Sequence, residues 1–151
     1  MKRNDSESEW LFNKCLELAG RADRECNWGL LKGDWGATDM IYDRFGPSFS
    51  DVQFKWHVDA LPTDPSRKVS IVFYFTPRSE FEGGILQLKL PPDDGRGASN
   101  GGNIGQGETL IERAYGPGAC VAFPSSSLWH NVTPVVKGQR RSLLLIAGPA
   151  P

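Results

Sequence analysis

The sequence contains two histidines, and both stand where a metal ion could use them. His57-Val58-Asp59 sets an imidazole and a carboxylate two residues apart. Strand side chains alternate between faces, so on a strand these two would point the same way, a few ångströms apart. Two imidazoles and one carboxylate on one side of an ion suit Fe(II) and leave positions open for substrate and dioxygen. With this composition a His-x-Asp triplet arises by chance in about one chain in four, so the spacing alone carries little weight. A surface histidine beside an aspartate on an edge strand is the plain alternative. His130, the third candidate, is flanked by Leu128, Trp129, Val132 and Val135 on a predicted strand. A lone histidine there is more often a core residue.

Arg140 follows His130 by ten residues, with Ser142 on the same face of the next predicted strand. A buried arginine needs an anionic partner, because an unpaired charge in the interior is very costly. No Asp or Glu occurs after Glu112, so the partner comes from a distant part of the fold or from a ligand. A two-residue hairpin turn at Lys137-Gly138 would send His130 and Arg140 to opposite faces. A three-residue loop, Val136 to Gly138, would pair residue 130 with 144 and 134 with 140 on one face. Arg140 would then lie roughly 13 Å along the strand from His130, a span that side-chain reach narrows to a five-carbon diacid. An odd-length loop or a bulge near Pro134 is therefore expected.

These residues need a scaffold, and 151 residues with a net charge of -1 can bury a core as one domain. No basic stripe or RNA-binding signature is present, so nucleic acid is not an expected partner. Three irregularly spaced cysteines read as reduced thiols, no apolar run approaches the length of a membrane span, and a cytoplasmic location is expected. Asn131-Val132-Thr133 matches a glycosylation sequon, which in that compartment is chance. A helix is predicted over Trp10–Leu18, capped by Ser6 or Ser8 and ended by Gly20. Strands are predicted at Gln53–Asp59, Val69–Thr76, Ile85–Leu90, Ala119–Phe123, Trp129–Val135 and Arg140–Ile146, the last two as a hairpin. Trp28–Ser50 and Pro91–Tyr115 read as long loops, lids or binding segments, with the glycine run 101–107 as a flap or disordered stretch.

Four segments, in order, carry a family resemblance: Phe54-Lys55-Trp56-His57-Val58-Asp59-Ala60; Arg67 through Thr76; Phe81-Glu82-Gly83-Gly84-Ile85-Leu86-Gln87-Leu88; and Gly118 through Ser142. From about Phe45 to Leu145 the chain resembles the Fe(II)/2-oxoglutarate-dependent dioxygenases, in particular their prolyl 4-hydroxylase-like branch. The resemblance implies a mainly β protein, a double-stranded β-helix (a cupin-like jelly roll) with a short N-terminal helical region. It implies one domain over 1–151, with 1–40 as helical support and lid and 41–147 as the jelly-roll core. His57, Asp59 and His130 would be the iron ligands. Arg140 would bind the distal carboxylate of 2-oxoglutarate, with Ser142 and Tyr74 as hydrogen-bond partners. Dioxygen, a peptide or small-molecule substrate and ascorbate as reductant complete the implied set, with no nucleic acid and no membrane. Because Asp59 is present, hydroxylation is favoured over halogenation, since related iron halogenases lack that carboxylate. The chain departs from the family in its short N-terminal region, in the insert at Pro91–Tyr115, and in carrying Phe45 or Phe54 where a tyrosine is common. Two other readings stay open: a jelly-roll metalloprotein or non-haem dioxygenase that does not use 2-oxoglutarate, and a non-catalytic binding module on the same scaffold.

Overall fold

The computed structural model describes residues 6–47, 55–60, 63–90, 109–113 and 115–150. Among these residues one α-helix, α1 (Ser6–Glu25), precedes nine strands: β1 (Trp35–Phe45), β2 (Val69–Tyr74), β3 (Phe81–Gly83), β4 (Leu86–Leu90), β5 (Thr109–Arg113), β6 (Cys120–Pro124), β7 (Trp129–Val132), β8 (Val135–Gly138) and β9 (Arg140–Pro149). All pairings are antiparallel. They build a four-stranded sheet in the order β1-β9-β2-β6, a three-stranded sheet β5-β4-β7 and a two-stranded ribbon β3-β8. This is the expected mainly β jelly roll behind a short helical region.

Alternation along β9 explains how one strand serves both core and pocket. Leu143, Leu145 and Ala147 join Val69 and Ile71 of β2 against Cys15 and Ala19 of α1. Arg140, Ser142 and Leu144 point the other way, into a pocket. A second apolar cluster, Leu86, Leu88, Phe123 and Leu128, lies on the inner side of the three-stranded sheet. Burying a Leu or Phe of this kind contributes about 1.5–3 kcal/mol.

The helix runs past Gly20, which does not end it. The face of Gly20 lies against Trp35, and a Cβ there would come within 2.8 Å of the indole, so this glycine serves close packing. The helix stops at Glu25 instead. Asn27 takes a left-handed conformation (φ 55°), and the buried Asp23 carboxylate accepts the amides of Leu30 and Leu31 at 2.9 and 3.2 Å.

Other expectations are corrected. Trp35–Phe45, inside the segment expected as a loop, is the longest strand among the described residues. It lies at the edge of the large sheet, where one open side tolerates its charged residues. Thr109–Arg113 is likewise a strand within the second predicted loop. Trp129–Val135 breaks after Val132, and the last strands form no hairpin: β7 pairs with β4, β8 with β3, and β9 with β1 and β2. The chain changes sheets at Gly138 (φ 74°), so the proposed pairing of 130 with 144 does not occur. A bulge does fall between Val135 and Lys137, two residues beyond Pro134. Residues 55–60 form no strand, and His57 makes only an isolated bridge to His130. The glycine run 101–107, most of the second predicted loop and Gln53-Phe54 lie outside the described residues.

Candidate active site

That isolated bridge assembles the first half of the site. The His57 amide donates to the His130 carbonyl at 3.0 Å, and the His130 amide returns the bond at 2.9 Å. The chain then bends, and Asp59 is delivered beneath both rings. Its Oδ1 lies 3.5 Å from Nε2 of His57 and 3.5 Å from Nε2 of His130. The ligand-type atoms of the three residues all lie within 4.8 Å of one another. Their convergence comes from a bridge followed by a bend, not from the strand alternation expected.

Backbone partners orient the rings. Nδ1 of His57 meets the Lys55 carbonyl at 2.7 Å, and Nδ1 of His130 meets the Leu128 carbonyl at 3.1 Å. A carbonyl only accepts, so Nδ1 carries a proton and Nε2 is the ring atom turned towards Asp59. Three lone-pair donors converging this way repel unless a proton or a cation lies among them. Burial by itself would raise the Asp59 carboxyl. Hydrogen bonds from His130 and His57, with Ser70 acting in the same sense, hold it well below the usual carboxylate range. Burial would lower His57, but Asp59 and the Lys55 carbonyl outweigh it and raise the imidazole. Asp59 is also buried with its Oδ2 lacking any hydrogen-bond partner. The donor set fits a divalent cation of borderline character, and two imidazoles with one carboxylate suit Fe(II).

The second half lies on β9 and β2. Arg140 is 3 % exposed, and its guanidinium is held between the rings of Tyr74 (4.9 Å) and Phe45 (5.0 Å), with Nη1 donating to Ser142 Oγ at 3.2 Å. Its Nε and the Tyr74 hydroxyl are buried without partners. Burial pushes the Tyr74 phenol up despite Arg140, so it stays protonated and can donate. Arg140, Ser142 and Tyr74 share one pocket with the histidine–aspartate cluster, closed by Val72, Leu86, Val132 and Leu144. An apolar pocket with orphaned donors at one end and a metal-type cluster at the other can take an elongated anion by both ends. Trp28, Trp35, Trp56, Trp129 and Arg78 are not among its lining residues. Trp28 and Trp35 pack under α1, Trp56 stacks on Lys89 and Arg78 on Phe81.

Three features escaped the sequence reading. Asp43 of β1 lines the pocket, invisible while β1 was read as a loop. Arg67 donates to the Asp59 carbonyl at 3.0 Å and pairs with Asp39 of β1 at 3.0 Å, pinning the ligand bend to the large sheet. The fully buried Ser70 and Ser125 hydroxyls bond each other at 2.8 Å, and the Ser125 carbonyl accepts the Ala60 amide at 2.9 Å. No motif marks such positioning residues; the predicted alternation on β2 could have flagged Ser70 as inward-facing.

The fold is a jelly roll whose pocket carries a two-histidine, one-carboxylate cluster of metal-binding type. Residues 44–146 match the 2OG-Fe(II) oxygenase superfamily, and the chain belongs to that family. A PKHD-type hydroxylase of Alteromonas mediterranea is 32 % identical over 94 residues, 58 % of this chain and 34 % of the relative. The chain thus spans about a third of the length of that curated relative. Among solved structures, a Pseudomonas putida prolyl-4-hydroxylase matches with a TM-score of 0.64 at 19 % identity, over 97 % of this chain and 69 % of that one. An oxidoreductase of the 2OG-Fe(II) oxygenase family from Burkholderia pseudomallei matches with a TM-score of 0.54 at 18 % identity, over 90 % and 57 %. Both likenesses support the fold.

Proposed function

We propose that this chain is the single catalytic domain of an Fe(II)- and 2-oxoglutarate-dependent oxygenase that hydroxylates a C–H bond. The observation that carries the reading is one pocket holding both a His57–Asp59–His130 cluster, with Asp59 and His130 buried, and a buried arginine with unsatisfied donors beside it. His57, Asp59 and His130 hold the metal. Arg140, Ser142 and Tyr74 hold the distal carboxylate of 2-oxoglutarate, the phenol and hydroxyl completing what the guanidinium begins. Iron bound there supplies dioxygen chemistry coupled to oxidative decarboxylation, so that substrate, dioxygen and 2-oxoglutarate give hydroxylated substrate, succinate and carbon dioxide. Val72, Leu86, Val132 and Leu144 keep water from the reacting groups, and the carbonyls behind both imidazoles fix the rings so that little reorganisation is needed.

Likeness to a prolyl-4-hydroxylase favours an amino-acid target, with a peptidyl or free prolyl group as the first to try. Ascorbate is the proposed reductant for uncoupled turnovers. Among the described residues no helix is long and apolar enough to cross a membrane, and Cys15, Cys26 and Cys120 are free. Free thiols suit a reducing compartment, and we place the protein in the cytoplasm.

Anaerobic addition of Fe(II) and 2-oxoglutarate should produce a weak visible charge-transfer band, and dioxygen should then yield succinate. Activity that persists in Arg140→Ala without succinate would identify a non-haem dioxygenase independent of 2-oxoglutarate. Neither band nor calorimetric binding would leave a non-catalytic module.

A further inference from the structure

Asp43 is the acidic residue lining the pocket that the metal cluster does not include. It stands in register with Ser142 of β9, and Ser142 stands in register with Tyr74 of β2. Three neighbouring strands thus carry Asp43, Ser142 and Tyr74 in one row, and all three side chains line the pocket. In the adjacent row Phe45 is in register with Arg140, which makes Asp43 a diagonal neighbour of the arginine. Diagonal cross-strand pairs lie about 7–8 Å apart, within reach of long side chains. Asp43 makes no hydrogen bond or ion pair below 4 Å with the described residues, so its charge acts at longer range. Burial raises its carboxyl, Arg140 draws it down and Asp59 raises it again, which fits a position between the arginine and the metal cluster.

We infer that Asp43 is a counter-ion of Arg140 and a selectivity residue that weakens the pocket's grip on the second carboxylate of a diacid. This rests on the cosubstrate reading above. When the distal carboxylate of 2-oxoglutarate reaches Arg140, two carboxylates share one guanidinium and repel each other. With screening at a partly exposed site, repulsion between two carboxylates several ångströms apart costs up to roughly tenfold in affinity. A 2-oxo acid without the distal carboxylate escapes it. Asp43 therefore narrows the preference for 2-oxoglutarate over monocarboxylic 2-oxo acids.

The test is calorimetric titration of 2-oxoglutarate and of 2-oxobutanoate into Mn(II)-loaded protein, without turnover. Asp43→Asn should tighten 2-oxoglutarate roughly tenfold and move 2-oxobutanoate by no more than about twofold, while Asp43→Glu should restore wild-type affinity. Should Asp43→Asn fail to fold, Asp43→Ser carries the same comparison. Unchanged or weakened 2-oxoglutarate binding in the neutral variant, or equal tightening of both acids, overturns the inference. Arg140→Ala separates the two readings. If it binds 2-oxoglutarate like wild type, the cosubstrate reading falls and takes this one with it. If it loses binding while Asp43→Asn is unchanged, the role of Asp43 alone is overturned.

Discussion

His57 and His130 exchange both backbone hydrogen bonds, at 3.0 and 2.9 Å, with their ring centroids 4.2 Å apart. Through this bridge a bend that belongs to no strand is registered against β7, so His57 and Asp59 owe their position to His130. Substitutions that loosen the bend should therefore weaken metal binding without touching a ligand.

Arg67→Ala is the sharpest case. It removes the donor to the Asp59 carbonyl and the ion pair with Asp39. Metal affinity should fall roughly tenfold, as for other outer partners of metal ligands, and stability by about 1–2 kcal/mol. Mn(II) titration and chemical denaturation measure the two. Unaltered metal affinity in a destabilised protein would assign Arg67 to the scaffold alone.

Gly84→Ala addresses the other end of the pocket. Gly84 sits at φ 60°, and a Cβ there would meet Arg140 Cδ at 2.9 Å and Val135 Cγ2 at 3.0 Å. The strain should cost about 1–3 kcal/mol and displace the guanidinium from between Tyr74 and Phe45. Binding of 2-oxoglutarate should weaken while Mn(II) affinity holds. Equal losses in both would mean that the turn supports the whole pocket.

Metal binding should depend on pH in one direction. The folded, metal-free His57 has a raised pKa, so metal must displace its proton until the pH exceeds that value, whereas Asp59 is already ionised. Affinity should drop by up to about tenfold per unit as the pH falls through the His57 range and level off above it. Titrations from about pH 6 to 9 would show this; a flat profile would exclude proton displacement from His57.

Cys15 offers a check on the α1 interface. Burial pushes its thiol up to about 11, while Cys26 and Cys120 are exposed. Because the folded state holds the proton more tightly, this contribution to stability is complete below about pH 9 and fades as the pH rises towards 11. Alkylation followed by mass spectrometry should label Cys26 and Cys120 first, and Cys15 only as the protein unfolds. Rapid labelling of Cys15 in the folded state would show that α1 leaves the sheet easily.

What the sequence revealed followed from residue chemistry more than from element boundaries. With only two histidines in the chain, His57 and His130 were the natural ligands to consider, and Arg140 stood out because no acid followed Glu112. Strands β2, β4 and β9 were visible because Val, Ile, Leu and Phe dominate them, and β6 because its run Cys120–Phe123 is apolar throughout. Strand β1 was not, because Asp39, Asp43 and Arg44 interrupt it and an edge position removes the pressure for an apolar run. The β7–β9 hairpin was expected from Lys137-Gly138, yet Gly138 carries the chain between sheets, a non-local outcome that turn chemistry does not encode. Gly20 was read as a stop because its contact with Trp35 is likewise non-local. Asp43 stayed hidden for the same reason as β1: its place beside Arg140 is set by a pairing about a hundred residues apart.

His130 comes from the three-stranded sheet, while Asp59 is tethered through Arg67 to β1 of the four-stranded one. An ion held by both is a rivet across the two walls of the roll. Parting of the walls or opening of the His57–His130 bridge would loosen such an ion, so local opening of the chain should speed metal exchange. Two variants with equal affinity for the ion could hold it for very different times, and residence would be the sensitive measure of how firmly the roll is shut.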